Sequence, residues 1–566
     1  FLKIVSVKNE FKRVQSQKLL DYCTSHLGDE GACWLETSKL LTPQRFDTAL
    51  KLIYAEDWRR GSGKVSRVAR QLYAHHMFCW NGGKGIRKRF DQRLDLEWPP
   101  KPGLYERLMS GEFSNPWKRT KGQCYAGDGQ VLEISLCHNF TCNYECLLNS
   151  LLKRGFTAGG AVEVFSLPDR SQWLFRVGSH RFAGAVAFDV PFVAVEFGEG
   201  WNRPGKNLYD AAYFQGHTKL RNKPTCALPD WHIEYAFYVL LPHKPQMLLL
   251  TIWPRSAHMV SDATIKSLSD RYSVTVWFHK KIWLTSAALE TYMLHAYGDV
   301  HWAASKANKV KSVGNGPQTV SLYWLEGSLE PVTELRDELR RLLDTKHSTH
   351  VTDTWQEMLL LSRLALFRES LQWINRARNA QNCLTVAKQM AKYHGLEDLE
   401  VAGVWLHPNA VAVDSAAVLY MYGIRATKDL DIVYDWKRFP KYKALFASGK
   451  NPKVDGLMPL GDHTDGSAPH GIEFEDLLYH PLHFGFCFGL KFISLARVRL
   501  MKRNRAEAKD LRDLALIDDF VGGFKRCRSS GKRCVEARKA AHAFHIHEWN
   551  RTRGLIPPWH PSGVKT

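Results

Sequence analysis

The sequence predicts a multidomain protein that combines α/β and α+β domains. Its 566 residues are 45% hydrophobic, which is ample for two to four domains with their own cores. Apolar residues at helical spacing dominate two regions, and short apolar runs bounded by proline, which are typical of buried strands, lie between them. No apolar run reaches the length of a membrane span.

The predicted domains follow one another along the chain. We expect a helical N-terminal region with a connector over residues 1–125 and an α+β domain over 126–204. A small α/β middle domain over 205–345 precedes a mixed sheet with helices over 346–520. Residues 521–566 form a basic tail.

The N-terminal region contains the pattern of a core-packing helix. Thr42 can cap it and Pro43 suits its first turn, and apolar residues recur at helical spacing at Phe46, Leu50, Ile53 and Tyr54. Lys51 lies off this stripe, so we expect it on a solvated face.

A candidate phosphate-binding turn lies in the second domain. Residues 160–196 predict a strand, a turn, a strand, the Gly178 turn, a short helix and a final strand. Gly178 permits close backbone approach, and the free amides that follow favour an anion. His180 and Arg181 add an imidazole and a fork of donors. The alternative is an ordinary helix start with solvated basic residues.

This segment resembles the ParB and sulfiredoxin-like fold, whose Gly-x-His-Arg or Gly-x-Arg-Arg motif holds nucleotide phosphates. The resemblance implies a nucleotide-binding phosphate loop formed by Gly178, Ser179, His180 and Arg181. Sulfiredoxins have Cys where Ser179 stands, so their redox chemistry is not expected here.

The middle domain contains two apolar runs, residues 231–241 and 246–254, which we interpret as buried strands. A helix over 261–270 and a strand over 272–278 follow. A strongly helical pattern then begins at Asp353, which can cap it with Gln356 at the third helical position.

Two acids one residue apart, Asp429 and Asp431, are predicted to lie on one strand. Alternate side chains of a strand share a face, so both carboxylates can hold one divalent cation, magnesium or manganese. Their repulsion would be offset by a cation that also binds phosphate oxygens. The alternative is a solvated turn. Upstream, Ser415 stands at a predicted strand-to-helix junction.

This stretch resembles the nucleotidyltransferase superfamily, in which Gly followed by Gly or Ser precedes an Asp-x-Asp or Asp-x-Glu strand. Residues 488–517 resemble the strand and basic helix, ending in Lys-Asp-x-x-Asp, that follow in many members. One departure is Asp414, which stands where the family has Gly and adds a negative group where the backbone would approach a triphosphate.

The resemblance implies roles for particular residues. Asp429 and Asp431 would be catalytic metal ligands, and Glu473 would be the third carboxylate, preferred over Glu475 on a predicted strand. Lys509 would also be catalytic. The residues expected to contact or neutralise phosphate are Ser415, Arg425, Lys428, Lys491, Lys502 and Lys509.

These observations predict a metal-dependent phosphoryl- or nucleotidyl-transferase that uses a nucleotide and acts on a glycan or an anionic small molecule. The formal charge of +21 favours a polyanionic partner. The alternative is a non-catalytic nucleotide-sensing or nucleic-acid-binding protein. A cytoplasmic location is favoured, although the chain starts at Phe1 without Met, so we expect that a signal or anchor could precede it.

Overall fold

The computed structural model describes residues 33–40, 46–61, 63, 65–66, 68–70, 72–73, 123–125, 131–133, 140–154, 162–166, 173–197, 230–297, 302–312, 318–394, 410–435, 460–462, 470–472 and 474–529. The chain divides into two compact units. Unit 1 comprises Phe1–Pro245 with Val276–Phe278, and unit 2 comprises Gln246–Thr275 with His279–Thr566.

Unit 1 contains a four-stranded mixed sheet and a two-stranded hairpin. Its strands are β1 (Cys33–Glu36), β2 (Gln123–Tyr125), β3 (Val131–Glu133), β4 (Val162–Ser166), β5 (Trp173–Val177) and β6 (Phe192–Phe197). The sheet order is β1-β6-β4-β5, with β4 parallel to β6 and the other neighbours antiparallel, and β2 pairs with β3. Described helices of this unit are α1 (Thr37–Leu40), α2 (Phe46–Arg60), α3 (Phe140–Arg154), α4 (Ser179–Ala187) and α5 (Asp230–Leu240).

The element order predicted around Gly178 is observed, since β4, β5, α4 and β6 follow one another. The helix predicted from Phe46 is also present as α2. The N-terminal region is not helical throughout, however, because β1 pairs with β6 and extends the sheet. Four residues carry too little pattern to identify a strand whose pairing partner lies far along the chain.

Two predictions for unit 1 are wrong. Lys51 is buried, at 5% exposure, because α2 packs against both α4 and α5 and is covered on its polar side as well. Residues 231–241 were predicted to be a strand, but Asp230–Leu240 forms helix α5. A short continuous apolar run has no period that separates a buried helix from a buried strand.

Unit 2 contains two sheets. The strands are β7 (Met247–Ile252), β8 (Thr275–Leu284, whose residues 276–278 are assigned to unit 1), β9 (Gln318–Glu326), β10 (Thr349–Val351), β11 (Val411–Val413), β12 (Leu430–Tyr434), β13 (Leu460–Asp462), β14 (Phe484–Cys487) and β15 (Leu490–Ile493). One sheet has the order β10-β7-β9-β8. It includes strands on both sides of the domain boundary predicted at residue 345.

The second sheet has the order β13-β12-β11-β15-β14 and is mixed. Strand β11 runs antiparallel to β12 and parallel to β15, and β12 runs parallel to β13. Leu430, Ile432 and Val433 on β12 are fully buried, so this strand lies in the core.

Helices surround both sheets of unit 2. They are α6 (Pro254–Ala257), α7 (Asp262–Arg271), α8 (Ser286–Tyr297), α9 (Ala303–Val310), α10 (Leu329–Leu342), α11 (Trp355–Leu366), α12 (Arg368–Arg376), α13 (Ala380–His394), α14 (Ser415–Met421), α15 (Phe474–Tyr479), α16 (Leu495–Arg505) and α17 (Ala508–Ser529). A disulfide joins Cys383 on α13 to Cys487 on β14. None of the helices in the described ranges combines the length and the apolar character that a membrane span requires.

Candidate functional site

The two predicted acids occupy different environments at the start of β12. Asp431 lies on the strand and is 6% exposed, whereas Asp429 precedes the strand by one residue and is exposed. The Thr427 hydroxyl donates to the Asp429 carboxylate at 3.0 Å, which fixes the turn before the strand. One carboxylate is therefore anchored in the sheet and the other faces solvent.

The junction between β11 and α14 approaches Asp431. Ser415 is buried and has a φ of 51°, in the left-handed region that a side chain rarely adopts. The next amide, that of Ala416, points at Asp431 Oδ2 at 3.4 Å. Strained backbone of this kind persists where the surroundings fix it, and it recurs at ligand-binding sites.

Asp414 is directed into the interior. Its Oδ2 lies 3.0 Å from His470 Nε2, and both side chains are fully buried. This acid, which stands where the nucleotidyltransferase pattern has Gly, is thus enclosed by protein instead of meeting solvent.

The position of a third carboxylate was predicted to be a strand, and this is wrong for the part that the structure describes. Helix α15 begins at Phe474 and carries Glu475 in its first turn, while Glu473 lies outside the described residues. The alternation in residues 472–475 covers only four positions, too few to fix a period. On the neighbouring strand β13, the partner of Asp431 is Gly461, which has no side chain.

A buried chain of charges connects the turn before β12 to the last two helices. Arg425 bonds to Asp513 at 2.6 and 3.0 Å, Lys502 lies 2.7 Å from Asp513 and 3.0 Å from Asp510, and Arg505 bonds to Asp510 at 2.7 and 2.8 Å. We call these five residues the ionic chain. Both acids belong to the Lys-Asp-x-x-Asp pattern. In this protein the two acids of that pattern therefore form ion pairs with protein side chains.

The charge of Asp431 contributes to the pKa of both end residues of the ionic chain, Arg425 and Arg505. The hydrogen bonds that Arg425 donates to Asp513 raise the pKa of Arg425, with smaller contributions from Asp429 and Asp431. Hydrogen bonding to Asp510 raises the pKa of Arg505, to which Asp431 also contributes. Burial would raise the pKa of Asp510, but its bonds to Arg505 and Lys502 lower it to about 2. Arg505 was not singled out from the sequence, although it lies within the basic helix pattern.

The predicted lysines divide by exposure. Lys491 is buried, bonds to the Leu478 carbonyl and lies 4.0 Å from the centre of the Phe484 ring. Lys502 is 2% exposed within the ionic chain. Lys509 is 62% exposed beside Glu507, and Lys428 is exposed in the turn before β12. Lys491 and Lys502 are therefore held by protein groups, and Lys428 is the exposed lysine next to the acid pair.

The predicted phosphate turn in unit 1 begins helix α4. Gly178 is the N-cap residue of this helix, and its φ of 96° lies in the region that favours glycine. Ser179 is the first helical residue. The buried ammonium of Lys51 lies 2.5 Å from Ser179 Oγ. Arg181 is half-buried in the first turn of the helix. Lys51, expected on a solvated face, thus adds a positive charge at the turn, which its place off the apolar stripe of α2 did not reveal.

His180 is fixed by a cluster of tyrosines. Its Nε2 lies 2.9 Å from the Tyr73 hydroxyl, and its ring packs edge-on against Tyr144 at 4.9 Å between centres. Tyr54 contacts both other tyrosines and donates to Glu145. Burial raises the pKa of all three tyrosines, so they stay protonated at neutral pH.

The acid pair offers the type of oxygen donor that a divalent cation binds. In the described ranges, no group of three or more His, Cys, Asp and Glu side chains is arranged to hold a metal ion. Magnesium commonly uses one or two carboxylates and completes its shell with water and substrate phosphates. The oxygen donors of Asp429 and Asp431 match that preference.

Comparison with protein-family models, with curated proteins and with solved structures finds no match for this chain. The nucleotidyltransferase and ParB-like resemblances therefore stay predictions that depend on the motifs.

Proposed function

We propose that this protein is a metal-dependent transferase that moves a phosphoryl or nucleotidyl group from a nucleotide to a glycan or an anionic small molecule. The observation that carries the proposal is the acid pair at the start of β12, with Asp431 anchored in the sheet, Asp429 exposed and Arg425 in the turn that precedes them.

The proposed site supplies each group that the transfer needs. Asp429 and Asp431 would hold the cation, which neutralises charge on the phosphate oxygens when it is bound. An acceptor hydroxyl oxygen attacks the phosphorus and its proton passes to solvent, while the bond to the leaving group breaks. Transfer of the terminal phosphoryl group releases nucleoside diphosphate, and transfer of the nucleotidyl group releases pyrophosphate. Lys428 and the outward edge of Arg425 would stabilise the negative charge that develops on the transferred group.

Manganese binding tests the acid pair directly. Electron paramagnetic resonance with Mn²⁺ and a nucleotide should show bound metal in the parent protein and about ten-fold less in Asp429→Ala/Asp431→Ala. Glu330→Ala/Glu334→Ala removes two exposed acids on α10 and is the matched control. Equal binding by both double variants would contradict the assignment.

Turnover tests the reaction. Phosphorus NMR of nucleoside triphosphates and nucleotide sugars, incubated with mixed glycan and small-molecule acceptors, should reveal release of nucleoside diphosphate, pyrophosphate or sugar phosphate. The Asp429→Ala/Asp431→Ala variant should lose this release. Metal binding without turnover of any nucleotide would favour a sensing role.

Nucleotide sensing through the Gly178 turn is a second candidate, favoured by the buried Lys51 at Ser179. Arg181→Ala should then weaken nucleotide binding by about 1 to 3 kcal/mol, because a charge-assisted bond to phosphate is lost. Isothermal calorimetry on the Asp429→Ala/Asp431→Ala background separates this site from the acid pair.

A further inference from the structure

An exposed tryptophan and a group of cations lie in a part of unit 2 that contributes no residue to the acid pair. Trp302 immediately precedes α9 and is 39% exposed. We call the group the cationic cluster, and its other members are Lys306 and Lys309 on α9, Arg340 on α10, and Lys346 and His347 in the segment after α10.

Aromatic contacts hold the centre of the cationic cluster. The Lys306 ammonium lies 3.9 Å from the centre of the Tyr297 ring and 5.4 Å from that of Trp302, and it donates to the Tyr297 hydroxyl. The Tyr297 and Trp302 rings meet edge to face at 5.0 Å. Trp302 is therefore braced on one side while part of its ring faces solvent.

The cations are close enough to affect one another. Lys309 follows Lys306 by about one helical turn, so the two share a face of α9. Partial burial lowers the pKa of His347, and repulsion from Lys309, Lys306, Lys346 and Arg340 lowers it further. Burial and then Arg340 lower the pKa of Lys306 to about 8. Contacts bring these elements together, since Arg340 donates to the Thr349 carbonyl at 3.2 Å and the His350 ring lies 4.4 Å from the Tyr297 ring, measured between centres.

Within the described ranges, no carboxylate pairs with the three lysines of the cationic cluster, Lys306, Lys309 and Lys346. Of the nearby acids, Asp337 pairs with Arg340 and with Arg336, and Glu357 is bonded to His350. The lysines therefore repel one another, and a bound polyanion would relieve that repulsion.

We propose that the cationic cluster binds single-stranded nucleic acid, with Trp302 stacking on a base and the surrounding lysines contacting phosphates. Exposed aromatic rings next to basic side chains are the recurrent means of binding unpaired strands, since every base offers a flat face. A duplex keeps its bases stacked and would offer Trp302 no such face. The excess positive charge of the chain would steer a polyanion toward the protein.

Fluorescence anisotropy with a labelled oligothymidylate of about 20 nucleotides tests the lysines. Lys309→Gln/Lys346→Gln should bind about ten-fold more weakly, and the slope of log affinity against log salt should fall by about 1.4, since two phosphate contacts are lost. Lys266→Gln/Arg503→Gln removes the same charge at two other exposed positions and should bind within about two-fold of the parent. Equal losses in the two double variants would overturn the proposal.

Trp302→Leu separates stacking from charge. It should weaken binding by about five- to one-hundred-fold while the salt slope stays unchanged, because no phosphate contact is lost. Circular dichroism and the melting temperature check that this variant is folded. An unchanged affinity in a folded variant would contradict the assignment.

Competitors and a further variant complete the test. Duplex DNA of the same length and polyglutamate should compete at least ten times less well than the oligothymidylate, and equal competition by either would overturn single-strand binding. Asp429→Ala/Asp431→Ala should keep full oligonucleotide affinity. A loss there would overturn a binding site separate from the acid pair, whether or not that pair is catalytic.

Discussion

At the residue scale, Lys502 is the centre of the ionic chain. It is 2% exposed, and it contacts two acids that are themselves almost completely buried, Asp510 and Asp513. Removing one member of a buried charge group leaves the others unpaired in a medium of low polarity, which costs more than the intact group contributes.

We therefore expect Lys502→Met to lower the free energy of unfolding by about 3 to 5 kcal/mol, as measured by urea denaturation. Lys509→Met on the next helix is the control, because Lys509 is 62% exposed and should change stability by less than about 0.5 kcal/mol. Similar effects of the two substitutions would show that Lys502 is not held in a buried network.

Glu369 predicts a pH dependence of the opposite sign to that of Asp510. Burial raises the pKa of Glu369 to about 7, against the influence of Arg368 and Arg376. Between pH 4.5 and 7 the folded protein keeps a proton that the unfolded chain has lost. Stability should thus fall as pH rises through this window, by about 3 kcal/mol at most.

Glu369→Gln should remove that loss. Its free energy of unfolding should exceed that of the parent by about 2 to 3 kcal/mol at pH 8 and should match it near pH 4.5. Chemical denaturation at several pH values measures this. Parallel pH profiles for the parent and the variant would contradict a raised pKa for Glu369.

At the element scale, the start of α11 shows which of two neighbouring residues, Asp353 or Thr354, caps the helix. Asp353 was predicted to cap this helix, but the structure uses Thr354, whose hydroxyl accepts from the Glu357 amide at 3.1 Å. The Glu357 carboxylate in turn accepts from the Asp353 amide at 2.8 Å, as in a capping box. Asp and Thr are both favoured at the N-cap position. The sequence pattern alone therefore locates the start of this helix only to within one residue.

Thr354→Ala should destabilise the protein by about 1 kcal/mol, since the Glu357 amide loses its acceptor. Asp353→Ala should cost less than half as much, because only the backbone of Asp353 takes part in the cap. Thermal unfolding of both variants decides between the two residues. A larger loss for Asp353→Ala would restore it as the cap.

At the scale of the whole molecule, the chain folds as two compact units, and each has an ionic group built on buried acids. In unit 1, Glu56 bonds to Arg60 at 2.7 Å and to His243 at 2.5 Å. Burial would raise the pKa of Glu56, but Arg60 and His243 lower it to about 2. In unit 2, the ionic chain is the comparable group of charges.

We expect scanning calorimetry to resolve more than one unfolding transition, because each unit has a separate core. Lys502→Met should lower the midpoint of one transition, and Glu56→Gln should lower that of the other. A single transition that both substitutions shift would show instead that the units unfold together.

The sequence by itself determined much of the local structure. Helix α2, the strand–turn–helix order around Gly178 and the β11–α14–β12 segment were all predictable. Their signals are local, because caps, glycine turns and apolar periods can be recognised within a short stretch of sequence. The motif residues Gly178 and Ser415 were accordingly located at element junctions.

Only the tertiary structure decided which charges face solvent and which apolar runs are strands. Lys51 is buried because α4 and α5, which are distant in sequence, pack against α2, whereas Lys502 is buried against the acids of the next helix, α17. The α5 segment is a helix although its sequence fits a buried strand. The tertiary structure also pairs Asp414 with His470, and it pairs Asp510 and Asp513 of the Lys-Asp-x-x-Asp pattern with the basic residues of the ionic chain. Burial and pairing depend on partners far along the chain, which a local pattern does not contain.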